Sequence, residues 1–224
     1  MRDFLSPILT LALKDILLEV RTKEIVSSVL LFAFLAVIIF NFAFDPTPEV
    51  VALVAPGIIW VAFTFAGVLG FNRSFILEKD KGSLDGLLLC PVSRDVIYLG
   101  KLAGSFLFMI VMEALLLPVF AVLYDFSLFI PELLLIAALA TLGFAAVGTL
   151  FSAMAVNTRS RETMLPLLLL PVAIPVIIAA VVATRGILDG DSFGELGQWW
   201  QLLLAFDVIF LVLSSLLFGA VLEE

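Results

Sequence analysis

Histidine is absent from these 224 residues, cysteine occurs once, as Cys90, and charged side chains make up only 14%. Without histidine the chain offers no imidazole ligand for haem, zinc or copper and no histidine general base. One cysteine excludes a disulfide framework within the chain and a cysteine-built metal cage. Twelve basic against twenty acidic residues leave a net charge of −8, which argues against nucleic acid, whose backbone demands clustered positive charge. So few charges cannot cover a globular surface, and a soluble enzyme or a disordered regulator is excluded with them. What takes their place is apolar: 63% of residues are hydrophobic and the mean hydropathy is +1.23. That composition belongs to an integral membrane protein.

A helix needs about 20 apolar residues to cross the roughly 30 Å of hydrocarbon. Six stretches meet that length: residues 25–44, 50–71, 102–124, 133–156, 164–184 and 199–222. Their unbroken apolar runs read as helices and not as barrel strands, which alternate over about ten residues. The expected fold is therefore an all-α membrane protein with six transmembrane helices. Eleven of the twelve basic residues fall before span one, after span two or after span four, and only Arg185 falls on the other side. Positive charge is retained on the cytoplasmic face, so both termini are expected there. The first apolar stretch has full spanning length and no small-residue cleavage site, and it reads as a retained helix.

Residues 1–24 read as an amphipathic helix on the cytoplasmic membrane face. Leu5, Leu9, Ala12, Leu13, Ile16 and Val20 share one arc and Lys14 and Arg21 lie opposite, with Ser6 and Pro7 as N-cap and first-turn proline. It is either an interfacial anchor or a connecting helix that carries motion to span one. The loop 72–101 is the longest polar stretch. Span two can run on through Glu78 until Gly82 supplies a left-handed cap. Ser83 then offers a new N-cap for a short helix carrying Leu84, Leu87 and Leu88, which Pro91 stops, and Ser93 restarts a helix into span three. A short helix held off the membrane between two spans suits docking into a groove on a soluble partner. The alternative is a turn whose leucines dip into lipid headgroups.

Three features are costly inside a membrane. Pro166, Pro171 and Pro175 each remove a backbone donor from span five, so that helix should kink or open locally and is a candidate hinge. Glu113 in span three and Asp207 in span six put carboxyl groups at depth, where a charge costs at least about 2.5 kcal/mol. Each should therefore face protein, stay protonated or line a wet path. No catalytic set emerges. Gly100-Lys101 lacks the glycine and the preceding strand of a phosphate-binding loop, so the chain is not expected to hydrolyse ATP.

The loop reads Glu78-x-Asp80-x-Gly-Ser-Leu-Asp-Gly-Leu-Leu-Leu-x-Pro91. Together with Lys14-Asp15 through Arg21-Thr-Lys-Glu24 and the string Leu167-Leu-Leu-Leu-Pro-Val-Ala-Ile-Pro-Val-Ile-Ile178, it resembles the type 2 ABC exporter permeases, and more narrowly the haem exporter protein B (CcmB) family of cytochrome c maturation. Cys90 departs from the serine or leucine expected there. The resemblance implies a type 2 ABC exporter permease fold in a bacterial inner membrane, serving haem export or ATP-driven release of a haem-loaded chaperone. It implies ATP in a CcmA-like ATPase subunit, a second permease copy, a haem-handling CcmC-like membrane protein, a small CcmD-like subunit and a periplasmic CcmE-like chaperone. No cofactor is then expected on this chain, haem being handled by partners. By this resemblance Glu78, Asp80, Gly82, Leu84, Asp85, Leu87 and Pro91, with Arg159 and Arg161 of the loop after span four, are candidates for ATPase coupling. Other readings are a type 2 ABC permease for a lipid, glycan or drug, a proton-linked carrier using Glu113 and Asp207, and a passive scaffold.

Overall fold

The computed structural model describes residues 2–22, 24–43, 48–80, 82–124, 130–156, 158, 160–192 and 194–221. Among them the chain forms eight helices and no strand: α1 (Arg2–Thr22), α2 (Glu24–Ala43), α3 (Pro48–Asp80), α4 (Ser83–Leu88), α5 (Arg94–Tyr124), α6 (Pro131–Val156), α7 (Arg161–Asp189) and α8 (Gly197–Val221). Five of these, α3 and α5 to α8, contain segments long and apolar enough to cross a membrane, while the described apolar core of α2, Val26–Phe40, is shorter. The protein is thus an all-α, multi-pass membrane protein.

Helix α6 is the hub, packing against α3, α5, α7 and α8. Its sequence explains why. Ala140, Ala145, Ala146 and Ala153 are buried along it together with Gly143 and Gly148, and small side chains let helix backbones approach where lipid offers no hydrophobic drive for association. Larger rings fill the spaces between: Phe144 meets Phe71 of α3 at 5.7 Å between centroids, and Phe63 lies edge-on to both Trp60 and Phe120. Outward faces carry large apolar side chains, such as Leu31, Ile39 and Phe42 of α2 and Val208, Val212 and Leu216 of α8. Polar bonds also tie helices together, the first two of the following buried and the third exposed at the helix ends. The Trp60 indole N–H donates to the Thr184 hydroxyl at 2.9 Å, the Tyr98 hydroxyl donates to the Ala146 carbonyl at 3.3 Å, and the Ser215 hydroxyl donates to Asp95 at 3.1 Å.

One expectation about α1 needs correction. Helix α1 starts at Arg2, so Pro7 lies inside it and Ser6 is not its N-cap; the Ser6 carbonyl accepts the Thr10 hydroxyl at 2.8 Å instead. Pro7 is tolerated because it sits close enough to the start to cost a single helical bond, that of the Asp3 carbonyl. Helix α7 extends as one helix through Pro166, Pro171 and Pro175. Pro171 and Pro175 lie on the exposed side, while Leu165, Leu169, Ala173 and Val176 face the core. Packing against α3, α6 and α8 holds the helix in shape around its missing bonds.

Candidate coupling site

Helices α3 and α5 are longer than a membrane requires. At 33 and 31 residues they reach about 50 and 45 Å, and the surplus of both lies at one end, around α4. Gly82 turns the chain there with φ of +66°, a left-handed conformation in which other residues are strained. Ser83 does not cap α4 as the sequence suggested. Its hydroxyl donates back to the Glu78 carbonyl at 3.1 Å, so it satisfies the last turn of α3 and fastens α4 to it. Leu87 packs against the core, whereas Leu89 and Cys90 are exposed, as is Pro91.

Glu78 does not point outward. Its carboxylate is 5% exposed and forms ion pairs with Lys14 of α1 and Lys101 of α5. Lys101, buried to 1%, also reaches Asp15 of α1 at 3.1 Å and lies 5.3 Å above the Phe75 ring, and Lys14 reaches Asp15 at 3.3 Å. Two cations and two anions from three helices thus neutralise one another. Burial draws Lys14 down, but the hydrogen bond to Glu78 and the charge of Asp15 outweigh it and raise its pKa. In such a network, removing one member strands a buried charge and costs about 3–5 kcal/mol. Helix α1 can come this close because Leu11 and Asp15 seat over Gly100 and Gly104 of α5. A Cβ at Gly100 would lie 2.8 Å from that of Leu11, and one at Gly104 would lie 3.1 Å from an Asp15 oxygen.

The other expected residues divide as follows. Asp80 is exposed at the end of α3. The side chains of Leu84, Asp85 and Arg161 and the whole of Arg159 lie outside the described residues. Glu113 and Asp207 are both buried and both abut α6. Glu113 accepts a hydrogen bond from the Thr141 hydroxyl, beside a cavity of about 10 Å³ lined by Trp60, Thr64, Thr141 and Val176 among others, which is about the space of one water. Asp207 sits against Gly143 and has no hydrogen-bond partner on either oxygen among the described residues. Sequence reasoning missed Lys14 and Lys101 as partners of Glu78, and Asp15 as the second anion that both lysines reach. The available signal was the adjacent opposite charges Lys14-Asp15, the one charged pair in the sequence from Phe4 to Leu18.

The chain is thus a many-spanning helical membrane protein with a short helix held between two long ones. The model of the CcmB protein family matches residues 6–224. Over 190 residues the chain is 30% identical to the heme exporter protein B of Pseudomonas aeruginosa, covering 84% of this chain and 85% of that protein. It is similar to the proteins of the same description from Haemophilus influenzae, 29% identical with 75% and 76% covered, and Rhodobacter capsulatus, 30% identical with 77% and 80% covered. The chain belongs to the CcmB family. It is a permease subunit of the ABC transporter of cytochrome c maturation.

Proposed function

We propose that this permease receives work from a separate ATPase subunit, CcmA-like, at the segment 72–101, and passes it to the membrane helices. The observation that carries the proposal is the projection of α3 and α5 beyond spanning length with α4 fixed between them. Glu78 serves by holding that end in place, while Gly82 sets the turn and the exposed Asp80 and Pro91, with Leu84, Asp85, Leu87, Arg159 and Arg161, supply the face and its support. In this reading α2 is span one and completes a set of six, the membrane is a bacterial inner membrane, and both termini are cytoplasmic. The eleven-to-one distribution of basic residues supports that orientation. The leucine face of α1, Leu5, Leu9, Leu13 and Leu17, all more than half exposed, rests on lipid headgroups.

ATP is hydrolysed in the partner. Two permeases and two ATPases form the core, joined by CcmC-like and CcmD-like membrane subunits, and the external partner is a CcmE-like haem chaperone. No cofactor resides on this chain, and haem is held by those partners, in keeping with the absence of histidine. Helix α7 bends at Pro166, Pro171 and Pro175 in a second state, where the energy of ATP changes how the chaperone is held. Purified permease should show no haem Soret band of an axially ligated complex. The complete complex should lose chaperone release when its ATPase is made catalytically dead. Haem bound through a tyrosine or methionine of the isolated chain, or chaperone release that ignores the dead ATPase, refutes the reading.

A further inference from the structure

Glu78 is joined to α4 through its backbone and to α1 and α5 through its side chain. Its carbonyl accepts the hydroxyl of Ser83, the first residue of α4, while its carboxylate pairs with Lys14 and Lys101. Lys101 in turn reaches Asp15, and α1 lies flush on α5 over Gly100 and Gly104. Helix α1 has far closer dealings with α5 than with α2, the helix that follows it. A connection from α1 to span one, the role open to it by sequence, is thus the weaker of the two it makes.

We propose that Lys14, Asp15 and Lys101 are positioning residues for coupling. They lock α1 across the ends of α3 and α5, so that α1, α4 and those ends move as one body when the ATPase displaces α4. The inference rests on the coupling function proposed above and adds α1 to its moving parts. Two properties of the site favour a mechanical role over an anchor's. Lys101 and Glu78 are both almost fully enclosed, so neither is free to exchange its partner for water without α1 lifting away. The charges also come from three helices, so no single helix can shift alone without stranding one of them.

The test uses the complete complex, the permease with its ATPase, the other membrane subunits and the haem chaperone, in lipid nanodiscs. Amide hydrogen exchange is read along α1, and ATP-driven chaperone release is read in parallel. Lys101→Met breaks the network, Gly104→Val presses α1 off α5 with all charges kept, and Glu78→Gln combined with Lys101→Met removes one charge of each sign and leaves Lys14 paired with Asp15. The first two should speed exchange along α1 by about tenfold or more and lower ATP-driven chaperone release. The doubly neutralised variant should recover both in part relative to Lys101→Met, because it strands no charge, a rescue that simple loss of packing does not give. Unchanged α1 exchange in Lys101→Met and Gly104→Val overturns the lock. A freed α1 with wild-type chaperone release overturns the positioning role alone. A wild-type chain that never binds the ATPase refutes the coupling function, and this inference with it.

Discussion

Replacing Asp207 by alanine should make the protein more stable. Both carboxyl oxygens are buried at the α6–α8 contact without a partner among the described residues, and an unsatisfied buried polar group costs about 1–3 kcal/mol. Truncation to alanine leaves a void of ~25 Å³, which at about 24 cal/mol per Å³ costs roughly 0.6 kcal/mol. The balance is a gain of about 0.5–2 kcal/mol, with the lower part of the range favoured because a chain unfolded in detergent or lipid also finds polar partners. Unfolding by dodecyl sulfate in mixed micelles, followed by tryptophan fluorescence, reads the difference, since Trp199 and Trp200 sit on the same helix as Asp207. Gly143→Ala gives an independent arm. Its new methyl would press on Asp207 and Phe206, so it should destabilise the wild type more than the Asp207→Ala background, and the two changes should be coupled. A loss of more than about 1 kcal/mol in Asp207→Ala would refute the reasoning, because it would mean that the carboxyl has a partner in the membrane-embedded protein. A gain in stability with a loss of transport would mark Asp207 as a group retained for function.

Thr141→Val should cost about 1–3 kcal/mol, because it takes the hydroxyl donor from Glu113 and leaves that carboxyl stranded; Glu113→Ala on the Thr141→Val background should recover part of the loss, and the same micelle titration measures both. At the other end of the molecule, the backbone N–H and hydroxyl of Ser192 donate to Glu195 at 2.7 and 2.8 Å and lower its pKa below the usual 4.5. This turn should therefore be fully supported above pH 4.5 and lose that support as the pH falls through the lower folded value. The amide resonance of Ser192 should titrate there, and Glu195→Gln should abolish the titration.

Local signals made much of the fold readable. Apolar runs of spanning length placed the long helices, Gly82 ended α3, and Pro91 separated α4 from α5, because each of these depends on neighbours in sequence. The partners of Glu78 were not legible, for the opposite reason. A carboxylate in a polar stretch reads as solvent-exposed, and only the approach of Lys14 and Lys101, 64 and 23 positions away, turns it inward. Ser83 shows the same limit at short range, since whether its hydroxyl caps the helix ahead or the one behind depends on how α4 folds back. Asp207 announced itself as costly, but its lack of a partner required the packing of α6 against α8 to be seen.

The most direct test of ATPase docking at the segment 72–101 uses the chain's own single thiol. Cys90 is free and exposed immediately after α4. A membrane-impermeant maleimide should label it in inverted inner-membrane vesicles and not in right-side-out ones, and saturating ATPase subunit should slow that labelling several-fold. Labelling at one rate with and without the ATPase, or labelling from the outer face, would contradict the account.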